Sequence, residues 1–258
     1  MANDFLSVTE LSGDDVTVEQ VDRMCQRYYW AGKYCRGKDV LEVACGTGQG
    51  AGYLAGLANS YRASDYSEKI LEIARAHYHE RITFQQLDAQ QLPFENGSFD
   101  VVVIFEAIYY LPSAERFVAE CRRVLRRGGK VLITTANNYL YDFNPSPHSH
   151  TYYGVPELRD LFLRYGFTST FFGNTLVDNL SWRQRMLRPI KKFVANAGLM
   201  PKTMAGKKLL KKFVFGSLVP MPSEIVAGMV PDVDPVPIPA DSPDRRHKVI
   251  FCLATILD

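Results

Sequence analysis

The sequence predicts an α/β fold, a mostly parallel sheet with helices on both faces, and three observations carry that expectation. Short apolar runs of strand length alternate with helix-length amphipathic segments along most of the chain. The first of these runs, Val40-Leu41-Glu42-Val43-Ala44, leads directly into glycines and then into a helical stretch. The second ends in an acidic residue, Asp65, seventeen positions after Gly48.

The elements follow in order. Thr17 and Gln20 form a capping-box pattern that opens a helix reaching about Gly32, and residues 1–16 before it are polar and expected to be loose. Strand 40–44 is followed by a helix over 49–57, strand 61–64 by a helix over 67–77 that Ser67 is placed to cap, and then come strands 82–86 and 100–105. Ser113 caps a helix with Phe117, Cys121, Val124 and Leu125 on one face, expected to end at Gly128-Gly129, and 130–135 is the next strand. A helix over 155–165, with Pro156 near its start and Gly166 at its end, precedes strands 169–172 and 248–257.

This pattern divides the chain into an N-terminal helical region (1–36), a core (37–174), an insertion (175–246) and a final core strand (247–258). The insertion is chemically distinct. Between Asp178 and Glu224 it holds ten Lys or Arg and no acid, in a chain whose net charge is only +2. Its second half, Pro220 to Pro243, holds seven of the fourteen prolines, which favours an extended covering segment.

Composition narrows the function classes. With 47% hydrophobic and 22% charged residues the chain is expected to bury a core and not to be disordered. No apolar run approaches the roughly 18 residues of a membrane span, and no leader pattern opens the sequence, so a cytoplasmic protein is expected. The five cysteines are scattered, with no Cys-x-x-Cys pair, and read as reduced, mostly buried thiols with no metal role.

In an open parallel sheet the ligand crevice lies beyond the carboxyl ends of the strands. The first turn there is Ala44-Cys45-Gly46-Thr47-Gly48, whose glycines let a ligand approach the backbone and whose following helix start is expected to offer amide donors. Gly46-x-Gly48-x-x-Ala51 by itself also fits a dinucleotide fingerprint, so an NAD(P)-dependent oxidoreductase stands as an alternative; it predicts a Tyr-x-x-x-Lys or comparable hydride-transfer set, which the sequence lacks. A carboxylate at Asp65 suits both hydroxyls of a ribose in either cofactor.

Several ordered motifs are more specific. Val40 to Gly48 resembles the first motif of class I S-adenosylmethionine-dependent methyltransferases, Asp65-Tyr66-Ser67 the ribose-binding end of the second strand, and Leu87-Asp88-Ala89 the turn beside adenine. Phe99 to Val103 with Phe105-Glu106-Ala107 resembles the fourth-strand motif, and Val124 to Ile133 the approach to the fifth strand. The resemblance covers about 38–135 and is nearest to the small-molecule methyltransferases of the type 11 group. It implies a seven-stranded Rossmann-like sheet whose last strand is antiparallel, and S-adenosyl-L-methionine as cofactor.

Carried over residue by residue, the resemblance places Ala44, Gly46, Thr47 and Gly48 near the methionine part, Asp65 and Tyr66 at the ribose, and Asp88 and Ala89 at the adenine. Glu42 would organise the turn or meet the ammonium through water, Phe105 would belong to the cofactor site, Glu106 would contact the methionine or orient an acceptor, and Tyr28 would pack in the first helix or fold over the cofactor from it. Many relatives have histidines where this chain has Tyr109-Tyr110, so a base is sought elsewhere. The loop after the fifth strand, with Asp142, Asn144, His148 and His150, is expected to line the acceptor side with Tyr110, and either histidine is a candidate proton acceptor at neutral pH. The bland reading of both is as exposed loop histidines.

Residues 182–215 carry basic amphipathic patterns, suited to a lid or to an anionic surface such as a membrane or a lipid-linked sugar. The reading is therefore methyl transfer to an O or N atom of a small-molecule or glycan-type acceptor, with peripheral membrane contact through this segment as a further reading. A non-catalytic, membrane-recruited adaptor is the other alternative. Nucleic-acid binding fits poorly, because the basic residues interleave with aliphatic ones.

Overall fold

The computed structural model describes residues 5–177 and 218–257. The lid and membrane-contact expectations for 182–215 therefore lie outside the described residues. The chain opens with a 3-10 turn, Phe5–Ser7, and strand β1 (Asp15–Thr17), followed by α1 (Val18–Cys35). The alternation then runs β2 (Asp39–Val43), α2 (Ala51–Ala55), β3 (Ser60–Asp65), α3 (Glu68–Tyr78), β4 (Phe84–Gln86), β5 (Phe99–Phe105), α4 (Ala114–Val124), β6 (Leu125–Ala136), α5 (Val155–Arg164) and β7 (Phe167–Leu176). Short strands β8 (Leu218–Pro220) and β9 (Val236–Ile238) precede the long β10 (His247–Ile256).

The main sheet has the order β4-β3-β2-β5-β6-β10-β7-β9. Strands β2 to β6 pair in parallel. β10 inserts antiparallel between β6 and β7, as the resemblance implies. The sheet has one strand more than the seven expected, because β9 from the proline-rich segment pairs antiparallel with the edge of β7. Its Pro237 is compatible with an edge strand, where a missing amide donor breaks no ladder on the outer side. β1 and β8 form a separate two-stranded ribbon.

β5 shows why the sheet must be covered on both faces. Val102 and Ile104 pack with Phe117, Cys121 and Phe162 of α4 and α5, whereas Val101, Val103 and Phe105 pack with Tyr28, Trp30 and Ala31 of α1. The two-residue alternation of a strand feeds both layers, so the run reads as continuously apolar.

Local signals are realised at several ends. Thr17 and Gln20 form the capping box of α1, and Ser113 accepts the Arg116 amide at the start of α4. Three expectations change. α4 stops at Val124, not at Gly128-Gly129, because Leu125 already pairs with Phe99 of β5; Gly128, at φ +68°, lies inside β6 where its register with β5 shifts. Ser67 makes no side-chain cap; its amide is instead taken by Asp65. Residues 5–16 are not loose: Gly13 and Asp14 exchange backbone bonds with Met221, and Ser12 meets Thr47.

Candidate functional site

The carboxyl ends of the parallel strands open into a cavity of about 580 Å³, within the usual range for small-molecule sites. Of the cofactor residues read from sequence, Ala44, Gly46, Asp65, Tyr66, Asp88, Ala89, Phe105, Glu106 and Tyr28 line it. Tyr110 and His150 of the acceptor set line it as well.

The glycine turn is built tightly. Ala44 and Gly46 have φ of 53° and 60°, and the Cys45 amide reaches across to the Ser64 carbonyl of β3 at 2.9 Å. Asp65 ties this turn to the next: one carboxylate oxygen accepts the Gly46 amide at 3.0 Å, the other the Ser67 amide at 2.9 Å. Burial raises the Asp65 carboxyl above its usual range, against the pull of the Ser67, Gly46 and Tyr66 amides. Asp65 thus holds the start of α3 and lines the cavity at the same time. Asp88 likewise turns one oxygen back on the Gln90 amide, at 2.8 Å.

Two amides at the start of the helix behind the glycines are already engaged within the protein. α2 has five residues; the Ala51 amide bonds the Gly48 carbonyl at 2.9 Å, and the Gly52 amide the Tyr78 hydroxyl at 3.1 Å. A dinucleotide site needs such donors for its pyrophosphate. A sulfonium cofactor without phosphate does not.

Glu42, Thr47 and Gly48 do not line the cavity. Gly48, at φ +79°, packs on Tyr78 and Phe84, and Thr47 is buried, so both shape the turn from behind. Glu42 is buried under two phenols, Tyr28 at 2.7 Å and Tyr61. Burial pushes its carboxyl up to about 7, while the tyrosine hydroxyls pull in the opposite direction. Tyr28 therefore does two things: its hydroxyl pins α1 to β2 through Glu42, and its ring meets Phe105 edge-on at 5.2 Å in the cavity wall.

Residues 137–154, which follow β6, divide the acceptor set. Tyr110 bonds Ser146 at 2.6 Å, and the His150 amide bonds the Tyr109 carbonyl at 2.7 Å, which holds His150 at the cavity. His148, Asp142 and Asn144 are exposed and do not line it. His148 sits at φ +66° and meets Phe5 edge-on, a turn that separates the two histidines.

Other lining residues went unassigned in the sequence. Phe5 contacts Tyr66 and Tyr110 across the mouth, and Glu10 pairs with Arg27 at 3.6 Å. Arg23 and Lys248 share Glu19, at 3.9 Å and 2.6 Å, and Asn174 comes from β7. No local pattern marks these residues, since they meet only through the sheet order. The five cysteines are buried and free, and burial raises the Cys45 thiol well above its usual range, which suits a packed residue and not a nucleophile.

Residues 41–133 match the family model described as a methyltransferase domain. This part of the chain is similar to S-adenosylmethionine-dependent methyltransferases. A probable S-adenosylmethionine-dependent methyltransferase of Mycolicibacterium smegmatis is 36% identical over 137 residues, 52% of this chain and 53% of that protein. A phthiotriol/phenolphthiotriol dimycocerosates methyltransferase of Mycobacterium ulcerans is 45% identical over 101 residues, covering 38% of this chain and 37% of the relative. The chain thus spans about half the length or less of the curated relatives it matches. The YcgJ protein of Bacillus subtilis shares the fold, with a TM-score of 0.58 at 17% identity over 90% of this chain and 98% of that one. Among the described residues, no helix is long and apolar enough to cross a membrane.

Proposed function

We propose that this chain transfers the sulfonium methyl of S-adenosylmethionine to an oxygen or nitrogen of a small-molecule or glycan-type acceptor. The observation that carries the reading is the convergence of Ala44 and Gly46, Asp65, and Asp88 with Ala89, from the ends of three adjacent parallel strands, on one cavity.

In this reading the Ala44 to Gly46 backbone cradles the methionine part, Asp65 accepts from the ribose hydroxyls, and Asp88 and Ala89 border the adenine. Tyr28 and Phe105 close the wall beside them. Bound S-adenosylmethionine supplies an activated methyl with a neutral thioether as leaving group. The chain's contribution is to orient the acceptor in line with that methyl and to exclude water, and such positioning supplies much of the acceleration in reactions of this type. Tyr110 and His150 would meet the acceptor from the 146–150 side. A relative named for methylating phthiotriol lipids supports an acceptor with a lipid part.

Calorimetric titration with S-adenosylhomocysteine and, separately, NADH tests the reading, with Asp65→Ala as control. Binding of S-adenosylhomocysteine alone, weakened roughly tenfold or more by the substitution, is expected, since a hydrogen bond to a charged group contributes about 1.5–3 kcal/mol. Binding of NADH alone would overturn it.

A further inference from the structure

We infer that Glu106 is the proton acceptor of the transfer reaction, placed where the cofactor half of the cavity meets its acceptor half. The inference rests on the methyltransferase reading above.

The sheet order carries the placement. The cofactor-type turns follow β2, β3 and β4, which lie side by side. The opposite wall of the same cavity comes from Thr134 and Ala136 of β6, Asn174 of β7 and Lys248 of β10. β5 lies between the two groups, and Glu106 is the residue that follows its last position, Phe105. A methyl group passing from one half to the other crosses the end of β5.

The backbone at Glu106 is held in an unfavourable conformation. Its φ is +50°, a left-handed region that residues with a side chain seldom adopt. The Glu106 amide is anchored to the Thr134 carbonyl at 2.8 Å, which fixes the end of β5 against β6. Strain kept at the lip of a cavity needs a reason, and here it aims a carboxylate into the wall. That carboxylate accepts a 3.3 Å bond from the Tyr109 hydroxyl, which leaves lone pairs for a ligand. Thr134 lines the same cavity, and its hydroxyl is fully buried with no partner among the described residues.

The charged groups facing Glu106 are Arg27 and Arg23 of α1, which favour its ionised form, and Glu10, which opposes it. Burial outweighs them and raises its carboxyl above the usual range, toward the region useful to a base at neutral pH. His150, by comparison, is exposed.

The step balances without another reagent. As the acceptor oxygen or nitrogen forms its bond to the methyl carbon, the carbon–sulfur pair returns to sulfur, and the acceptor proton passes to the Glu106 carboxylate. The products are the methylated acceptor, a neutral thioether and a protonated Glu106.

Sinefungin tests this without knowledge of the acceptor, because it carries an ammonium where the cofactor carries its methyl, whereas S-adenosylhomocysteine carries nothing there. The full chain, Glu106→Gln and Glu106→Asp are titrated with both ligands by calorimetry on either side of neutrality. The unsubstituted protein is expected to prefer sinefungin by roughly tenfold, more so at the higher pH, since an ionic hydrogen bond of this kind is worth that much. Glu106→Gln is expected to abolish the preference, sinefungin affinity falling roughly tenfold further than S-adenosylhomocysteine affinity. Glu106→Asp, whose shorter side chain tolerates left-handed φ, is expected to keep part of it and carries the test if the amide variant fails to fold. An unchanged preference in Glu106→Gln, or an equal loss for both ligands, would overturn the inference. If the unsubstituted protein bound neither ligand, the methyltransferase reading itself would fail.

Discussion

Replacing Glu42 by glutamine should change how stability depends on pH more than it changes stability itself. In the folded chain Glu42 is buried beneath Tyr28 and Tyr61, and its carboxyl titrates near 7 against 4.5 when unperturbed. A carboxyl whose folded pKa is raised favours folding in its neutral form, so its contribution is full below about 4.5 and is lost as pH rises through about 7. A tenfold change in proton affinity is worth about 1.36 kcal/mol, so the wild-type chain should lose about 3 kcal/mol from this one group between mildly acidic and mildly alkaline solution. Glutamine cannot ionise, and its amide can accept from one tyrosine and donate to the other. Urea unfolding at a series of pH values should therefore show the stability of Glu42→Gln rising relative to wild type by about 3 kcal/mol across that window. A difference between the two proteins that is flat with pH would refute the reasoning, because it would mean that Glu42 keeps an ordinary carboxyl pKa in the fold.

Two further outcomes test the packing that holds the site. Gly50→Ala would put a methyl about 2.0 Å from the Tyr28 ring, so it should lower stability by about 1–3 kcal/mol, and by displacing Tyr28 it should weaken S-adenosylhomocysteine binding in calorimetry. Leu132→Ala, at a fully buried position of β6 on the α1 face, should cost about 2–5 kcal/mol in denaturant unfolding.

What the residues disclose in advance is mostly what neighbours in sequence can settle. The capping box at Thr17, the apolar run of β5 and the glycine turn at 44–48 act over a few positions, and the structure realises each of them. The end of α4 is different: Leu125 would suit the apolar face of a longer helix, but pairing with Phe99 claims it for the sheet, and tertiary pairing overrides local propensity. The polar N-terminal segment carries no periodic signal because its order comes from distant partners, Arg27, Thr47 and Met221. Arg23, Asn174 and Lys248 belong to one cavity only once the sheet order brings α1, β7 and β10 together. His148 and His150 are indistinguishable by type and spacing, and it is the backbone turn at His148 that separates them.

The position of β10 also sets an order of events during synthesis. β6 and β7 are both made before it, yet each pairs with β10 and neither with the other. Until His247 to Ile256 leave the ribosome, the growing chain carries two strands with unsatisfied edges, and one wall of the cavity, with Lys248 and Phe251, does not exist. The binding site is thus completed only after both neighbours of β10 have been made, and the interval before its completion is when a chaperone or a second chain has open strand edges to engage.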